Sequence, residues 1–171
     1  MIKYYNKEGY MSQMAEISGE EAENDEIKNA EKYLIFTILG KLYSFPSKFI
    51  GEIALFDTVY PLPLMPAYVP GIVNRYSVPY ALFDIGLLFY STPSPRGKVL
   101  VIKDEIDRIA FLIDDVSGIA DIPQDGLLNM ERGTESGDLT EAVCASFNWN
   151  GSDVLVLDIN RILARAAGDA V

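Results

Sequence analysis

The stretch PAYVPGIVNRYSVPYALFDI, residues 66–85, decides the fold. It contains two short apolar runs, Val69–Val73 and Val78–Phe83. Both runs are bounded by Gly or Pro and are too short for helices, so they predict two strands. The polar residues Asn74–Ser77 between them predict the connecting turn, because Asn readily adopts turn conformations. The centre of the chain therefore predicts a β-hairpin.

Asp84, directly after the second strand, predicts the start of a short helix. Asp is a preferred N-cap because its carboxylate accepts hydrogen bonds from the backbone N–H groups of the first turn. The same arrangement recurs near the C-terminus, where Asp158 follows the strand-like run Val154–Leu157 and precedes a predicted helix over about residues 158–167. The similarity between residues 82–85 and 156–159 suggests an internal repeat.

Short apolar runs ended by turn signals fill most of the remaining chain. An Asn-Gly pair at residues 150–151 is a strong hairpin signal, whereas the Pro-rich link at residues 61–66 cannot lie in a central strand. We predict an all-β fold of two small barrels packed together, the first over about residues 32–90 and the second over about residues 98–157. The further strands are predicted at Tyr33–Leu39, Leu42–Phe45, Ile50–Phe56, Lys98–Lys103, Arg108–Ile113, Ile119–Ile122 and Ala142–Trp149, and a surface loop is predicted at Gln124–Glu141.

The N-terminal residues 1–31 differ from the rest in composition. From Glu16 to Glu31 there are seven acidic residues and a single base, Lys28. Such a segment cannot bury enough apolar surface to fold, so we predict a disordered, solvated tail. The chain contains neither the apolar core of a signal peptide nor a run of about 20 apolar residues. It is expected to be cytoplasmic, without direct membrane insertion.

Composition argues against several kinds of chemistry. The net charge of −11 disfavours nucleic acid as a partner, because binding phosphates needs clustered Lys and Arg. The absence of histidine removes the commonest general base and metal ligand. The single Cys144 is interpreted as a small buried hydrophobe. We therefore predict no catalytic residues, no metal site and no cofactor. A hydrolase that uses the carboxylates of Asp114 and Asp115 is a minor alternative. It is disfavoured because neighbouring strand residues point to opposite faces, so the two carboxylates would not converge on a substrate.

The order of these pieces resembles the CheW-type coupling proteins of bacterial chemotaxis, over about residues 32–163. The residues that carry the resemblance are, in chain order, Tyr33–Thr37, Leu42–Tyr43, Ile50–Ile53, Pro66, Gly71–Asn74, Asp84–Ile85, Ile113–Ile119 and Leu155–Asp158. The resemblance implies two SH3-like five-stranded barrels. It also implies a non-catalytic adaptor that links chemoreceptor cytoplasmic tips to the regulatory domain of a histidine kinase.

The resemblance also implies which residues meet partners. Ile50 and Glu52 are expected to contact the kinase, and Asn74, Arg75 and Tyr76 are expected to lie at the receptor-binding surface.

The chain departs from the family pattern at this turn. Where the family usually has Asn-Leu-Arg-Gly, this chain has Tyr76 at the position of Arg and Ser77 at the position of Gly. Arg75 offers a positive charge one position earlier, although an offset of one residue changes the face of a strand. Ala81 replaces a usual Pro. A kinase-only regulator, or a scaffold outside chemotaxis with altered receptor binding, is therefore the alternative.

Overall fold

The computed structural model describes residues 30–55, 58–95, 97–103, 108–130 and 139–169. The predicted acidic tail lies outside the described residues, apart from its last two positions. The strands are β1 (Glu31–Ile38), β2 (Lys41–Pro46), β3 (Ile50–Ala54), β4 (Gly71–Arg75), β5 (Val78–Asp84), β6 (Lys98–Ile102), β7 (Ile109–Ile113), β8 (Asp115–Ile122), β9 (Leu128–Asn129), β10 (Val143–Trp149) and β11 (Ser152–Leu157). Short 3₁₀ turns lie at Ser47–Phe49, Gln124–Gly126 and Leu139–Ala142, and the helices are α1 (Ile85–Tyr90) and α2 (Ile159–Asp169).

These strands form two sheets, and the prediction of an all-β fold is confirmed. One sheet has the order β8–β1–β2–β11–β10–β9 and the other has the order β3–β6–β7–β5–β4. The first sheet has six strands, because the two-residue strand β9 pairs with β10 inside the region predicted as a loop. The SH3-like character of the two sheets stays a prediction.

The two halves of the chain exchange strands. Strands β1 and β2 lie in the sheet of β8–β11, while β6 and β7 lie in the sheet of β3–β5. Strand β5 pairs in parallel with β7, and β11 pairs in parallel with β2. The last strand of each half thus lies beside the second strand of the other half. This reciprocal pairing agrees with an internal repeat, but each sheet combines strands from both sides of the predicted division at residues 90–98.

Strand β1 is buried on both faces, which explains its nearly continuous apolar sequence. Leu34, Phe36 and Ile38 point into the core between the two sheets. Tyr33 and Ile35, at the alternate positions, point into a second core within the six-stranded sheet. The strand therefore separates two layers of core.

The six-stranded sheet curls until distant strands touch. Strands β8 and β10 are four positions apart, which corresponds to about 19 Å in a flat sheet. A Cβ atom on Gly118 of β8 would nevertheless lie 3.0 Å from Cζ2 of Trp149 at the end of β10. The indole ring therefore packs on the glycine, and the sheet encloses the core to which Phe147 and Val154 belong.

Both predicted helix caps are confirmed. Asp84 is buried, and its carboxylate accepts a hydrogen bond from the backbone N–H of Leu87 at 3.1 Å. The carboxylate of Asp158 accepts from the N–H groups of Asn160 and Arg161 at 2.8 and 3.2 Å. No helix in the described part of the chain has the length and apolar character needed to cross a membrane.

Candidate protein-interaction site at β3 and the β4–β5 hairpin

The predicted central hairpin is formed by β4 and β5, and its turn is two residues long. Asn74 and Arg75 belong to β4, where they pair with Pro79 and Val78. The two residues of the turn, Tyr76 and Ser77, have φ values of 49° and 64°. Two consecutive positive φ values are typical of a type I′ turn, whose twist matches that of the flanking strands.

This backbone geometry predicts that Ser77→Gly stabilises the protein. A non-glycine residue in the left-handed region is strained, whereas Gly adopts it freely at some cost in chain entropy. We expect the free energy of unfolding to rise by about 0.5–1 kcal/mol in urea denaturation. The control is Ser146→Gly at a regularly paired position of β10, which should be destabilising by a similar amount. A loss of stability in both variants would contradict the left-handed turn.

Arg75 at the end of β4 binds Glu52 of β3. Its Nε donates a hydrogen bond to Oε2 of Glu52 at 2.6 Å, and its Nη2 donates to Oε1, so the ion pair is bidentate. Each side chain is about one-third exposed, at 32% and 30%. The hydrogen bond to the carboxylate raises the pKa of Arg75, which keeps the guanidinium charged.

The same ion pair shows that the five-stranded sheet is strongly curved. Strands β3 and β4 are its two edges, about 19 Å apart if the sheet were flat. An extended Arg75 and an extended Glu52 cannot span that distance together. The two edges must therefore face each other, around a small separate core of Val73, Leu82, Val99, Val101 and Ala110.

Tyr76 projects from the turn and completes the arrangement. Its side chain is 80% exposed, and the guanidinium carbon of Arg75 lies 3.9 Å from the centre of its ring. Nη2 of Arg75 also donates a hydrogen bond to the Tyr76 hydroxyl at 2.7 Å. Arg75 is thus held between Glu52 and Tyr76, which leaves one face of an amphipathic ring toward solvent. Exposed tyrosines of this kind are frequent anchors in protein interfaces.

Three of the five predicted site residues therefore lie together: Glu52, Arg75 and Tyr76. The family resemblance assigned Glu52 to one partner and the two hairpin residues to another, but one ion pair joins the two expected surfaces. Asn74 is exposed and lies one residue before Arg75 in β4. Ile50 is half-buried and packs against the core between the sheets.

A β-bulge explains the inward position of Ile50. Ile50 pairs with Ile102 and Glu52 pairs with Val101, so Gly51 is an extra residue in β3. Two other apolar side chains are exposed here. They are Ile53 in β3, which is 40% exposed, and Leu55 directly after the strand, which is 73% exposed. Sequence reasoning missed them, although a glycine inside a strand pattern is a known signal of a bulge.

A cleft of about 480 Å³ opens beside the ion pair. Its lining includes Glu52 and Arg75, together with Tyr80 and the cations Lys103 and Arg108. Among the charged side chains of the described residues that line it, three are positive and one is negative. Since Arg75 is paired with Glu52, the remaining charged side chains among these described lining residues are Lys103 and Arg108.

The carboxylates of Asp114 and Asp115 do not form an acid–base pair. Asp114 accepts a hydrogen bond from the backbone N–H of Gly40 at 2.8 Å. The carboxylate of Asp115 binds Lys98 and accepts a hydrogen bond from the backbone N–H of Val116. Both contacts lower the pKa of Asp115, and the contact with Lys98 has the larger effect. The two groups bind different partners, so they do not converge on a substrate position.

The fold consists of two curled β sheets, each built from both halves of the chain, with the Arg75 hairpin at one edge of the five-stranded sheet. The sequence matches the family model described as CheW-like domain over residues 32–167. The chain therefore belongs to the CheW-like family of chemotaxis adaptor scaffolds.

A solved structure of the same fold is the scaffolding protein TtCheW from Thermoanaerobacter tengcongensis. The two are 14% identical, with a TM-score of 0.67, and the alignment covers 76% of this chain and 85% of that one. No curated protein matches the sequence.

Proposed function

We propose that this chain is a non-catalytic, cytoplasmic signalling adaptor. It couples the cytoplasmic tips of chemoreceptors to the regulatory domain of a chemotaxis histidine kinase. Membership of the CheW-like family supports the general role. The bidentate pair between Glu52 and Arg75 is the observation that carries the proposal, because it fixes β3 and the hairpin as one rigid, partly exposed surface.

The two kinds of partner would use different parts of this surface. The kinase domain docks along β3, where Glu52 sets the register and the exposed Ile53 and Leu55 supply apolar contact. Ile50 supports that surface from below, since it packs against the core. The receptor docks at the hairpin, on Asn74, Arg75 and Tyr76.

The alternative is a scaffold that binds the kinase alone, or one that serves a complex outside chemotaxis. The geometry of Arg75 favours it, because the guanidinium is committed to Glu52 and to Tyr76. A receptor would have to compete for this cation or bind the tyrosine ring instead. A pull-down with isolated receptor tips separates the two functions: retention of the adaptor supports coupling, and loss of retention alongside intact kinase binding supports the alternative.

We expect Glu52→Lys to weaken binding of the kinase regulatory domain at least tenfold in isothermal titration calorimetry. The reversal breaks the ion pair with Arg75 and places two positive charges at the surface that sets the register. The matched control is Asp121→Lys, which makes the same charge change at the exposed Lys32–Asp121 pair on the other sheet. That variant should bind normally.

Circular dichroism and thermal unfolding verify that both variants are folded. Wild-type affinity in Glu52→Lys would remove this residue from the interface. Absence of binding by the unmodified protein at high micromolar concentration would overturn the proposed function.

A further inference from the structure

A run of consecutive exposed apolar residues lies between β3 and β4. All eight residues at positions 58–65 are exposed, and seven of them are apolar. We call this segment the arch. Its large apolar side chains are Val59, Tyr60, Leu62, Leu64 and Met65. Contiguous apolar surface that the fold leaves in water is characteristic of an interaction site.

Leu64 at the tip of the arch is the most exposed of these side chains. It is 103% exposed, and its φ of 62° lies in the left-handed region. This backbone conformation strains a residue that has a Cβ atom, and leucine lacks the short polar side chain with which Asn or Asp offsets the strain. The fold therefore holds an apolar side chain out in solvent at an energetic cost. Local strain of this kind is concentrated at functional sites.

The arch is firmly held because both of its ends are anchored. Tyr60 exchanges two backbone hydrogen bonds with Ile72 of β4, at 2.8 and 2.9 Å. Beyond the other end, the hydroxyl of the buried Tyr68 donates a hydrogen bond to the carbonyl of Ala166 in α2 at 2.8 Å. Three prolines within residues 61–66 restrict the backbone further. Little chain entropy is therefore lost when the arch binds a partner.

The exposed area of the arch is large enough for a weak interface. Its five large side chains together expose the equivalent of about three complete side chains. At about 150–200 Å² for each large side chain, this is roughly 500 Å². Pro61 and Pro63 are also exposed, so a contact between two copies would bury about 1,000 Å². This area is the lower limit of specific interfaces and is typical of reversible association.

The composition of the arch favours a second copy of this chain as the partner. The sequence has no charged residue between Asp57 and Arg75, and Arg75 is paired with Glu52. Homodimer interfaces are more apolar than those between different proteins, in which charged groups set the register. Two copies that meet through this uncharged surface therefore bury no unpaired charge from it.

We propose that two copies of the chain associate through their arches as a symmetric dimer, with Leu64 of each copy near the centre of the contact. A two-fold contact uses the same patch on both copies, so a single exposed patch is sufficient. The net charge of −11 on each copy opposes the approach, and salt screens this repulsion. The dimer is therefore weak and tightens as salt is added. The inference does not depend on the proposed function.

Sedimentation equilibrium of the full-length protein tests the association without any other partner. We expect the average mass to rise from 19.0 kDa toward twice that value as the protein concentration increases. The dissociation constant should fall at least threefold between 50 and 500 mM NaCl, because the repulsion is screened. A mass that stays at 19.0 kDa at high micromolar concentration would overturn the proposal. An association that weakens with salt would overturn it as well.

Leu64→Asp places a charge at the centre of the proposed contact and should weaken the dimer at least tenfold. The matched control is Leu128→Asp, because Leu128 on β9 of the other sheet is also an exposed leucine, at 68%. This variant carries the same added charge and should associate normally. Equal losses in the two variants would mean that added charge, rather than the arch, governs association, and would contradict the proposal.

Leu64→Asn separates the interface from the stability of the fold. Asparagine adopts the left-handed conformation more readily than leucine, so the substitution relieves strain while it removes the apolar side chain. We expect the dimer to weaken at least fivefold, whereas the melting temperature of the dilute, monomeric protein should not fall. Association as strong as that of the unmodified protein would remove Leu64 from the contact.

Binding of the kinase regulatory domain distinguishes the dimer from a kinase contact at the arch. If the protein stays monomeric and Leu64→Asp weakens kinase binding, the arch belongs to the kinase interface, so the dimer fails and the proposed function stands. If the dimer forms but no kinase binds, the proposed function fails and the dimer stands.

Discussion

Phe111→Ala is expected to destabilise the protein by about 3–5 kcal/mol, the usual cost of removing a fully buried aromatic side chain. Phe111 lies on β7 of the five-stranded sheet and is completely buried. Its ring stacks on that of Phe45 in the six-stranded sheet, with centroids 5.6 Å apart. The substitution therefore opens a cavity where the two sheets meet. A change of this size lowers the melting temperature by roughly 10 °C in a protein of this length.

The control for this prediction is Phe83→Ala, on the neighbouring strand β5. Phe83 packs against Phe111 with centroids 6.1 Å apart but is only partly buried. Its removal should cost no more than about half as much, because water can fill the space that it leaves. Urea denaturation of both variants measures the difference. Equal losses of unfolding free energy in the two variants would mean that the contact between Phe111 and Phe45 does not stabilise the packing of the two sheets.

The sequence was sufficient to predict features that depend on neighbouring residues. The polar stretch at residues 74–77 and the apolar runs around it predict the position of the central turn. Its length was wrong, because Asn74 and Arg75 belong to β4 and only two residues form the turn. The helix caps at Asp84 and Asp158 follow from the chemistry of a carboxylate before an apolar run, and the hydrogen bonds of both caps are confirmed. Such features are decided within a few residues, so no long-range information is needed.

Features that depend on distant pairing could not be predicted. The exchange of strands between the halves joins β2 to β11 in parallel, and nothing in either strand specifies that partner. The ion pair of Arg75 with Glu52 likewise depends on the curvature of a whole sheet. The inward position of Ile50 follows from a one-residue bulge at Gly51, which reverses the alternation of faces. A resemblance that assigns residues to partners cannot foresee such a reversal.

Asp84→Ala is expected to cost about 2–4 kcal/mol, more than an ordinary helix cap. The carboxylate is 4% exposed and serves two segments at once. Besides the N–H of Leu87, it accepts hydrogen bonds from the backbone N–H and the hydroxyl of Ser94, the latter at 2.7 Å. Alanine would leave these partly buried donors without their protein partner, and the penalty for unpaired donors adds to the loss of the cap.

Asp158→Ala is the matched comparison, because Asp158 holds the same position at the start of α2. Its carboxylate caps only its own helix and is partly exposed, at 35%, so water can replace the lost bonds. We expect a cost of about 1 kcal/mol, typical of a single cap. Denaturation midpoints compare the two variants, and hydrogen exchange at the amides of Leu87 and Ser94 should accelerate only in Asp84→Ala. Similar costs would show that the link to Ser94 adds nothing. The difference in the loss of unfolding free energy between Asp84→Ala and Asp158→Ala therefore measures how much the hydrogen bonds to Ser94 stabilise the protein. These bonds connect the segment after α1 to the end of β5, the strand that begins at the hairpin.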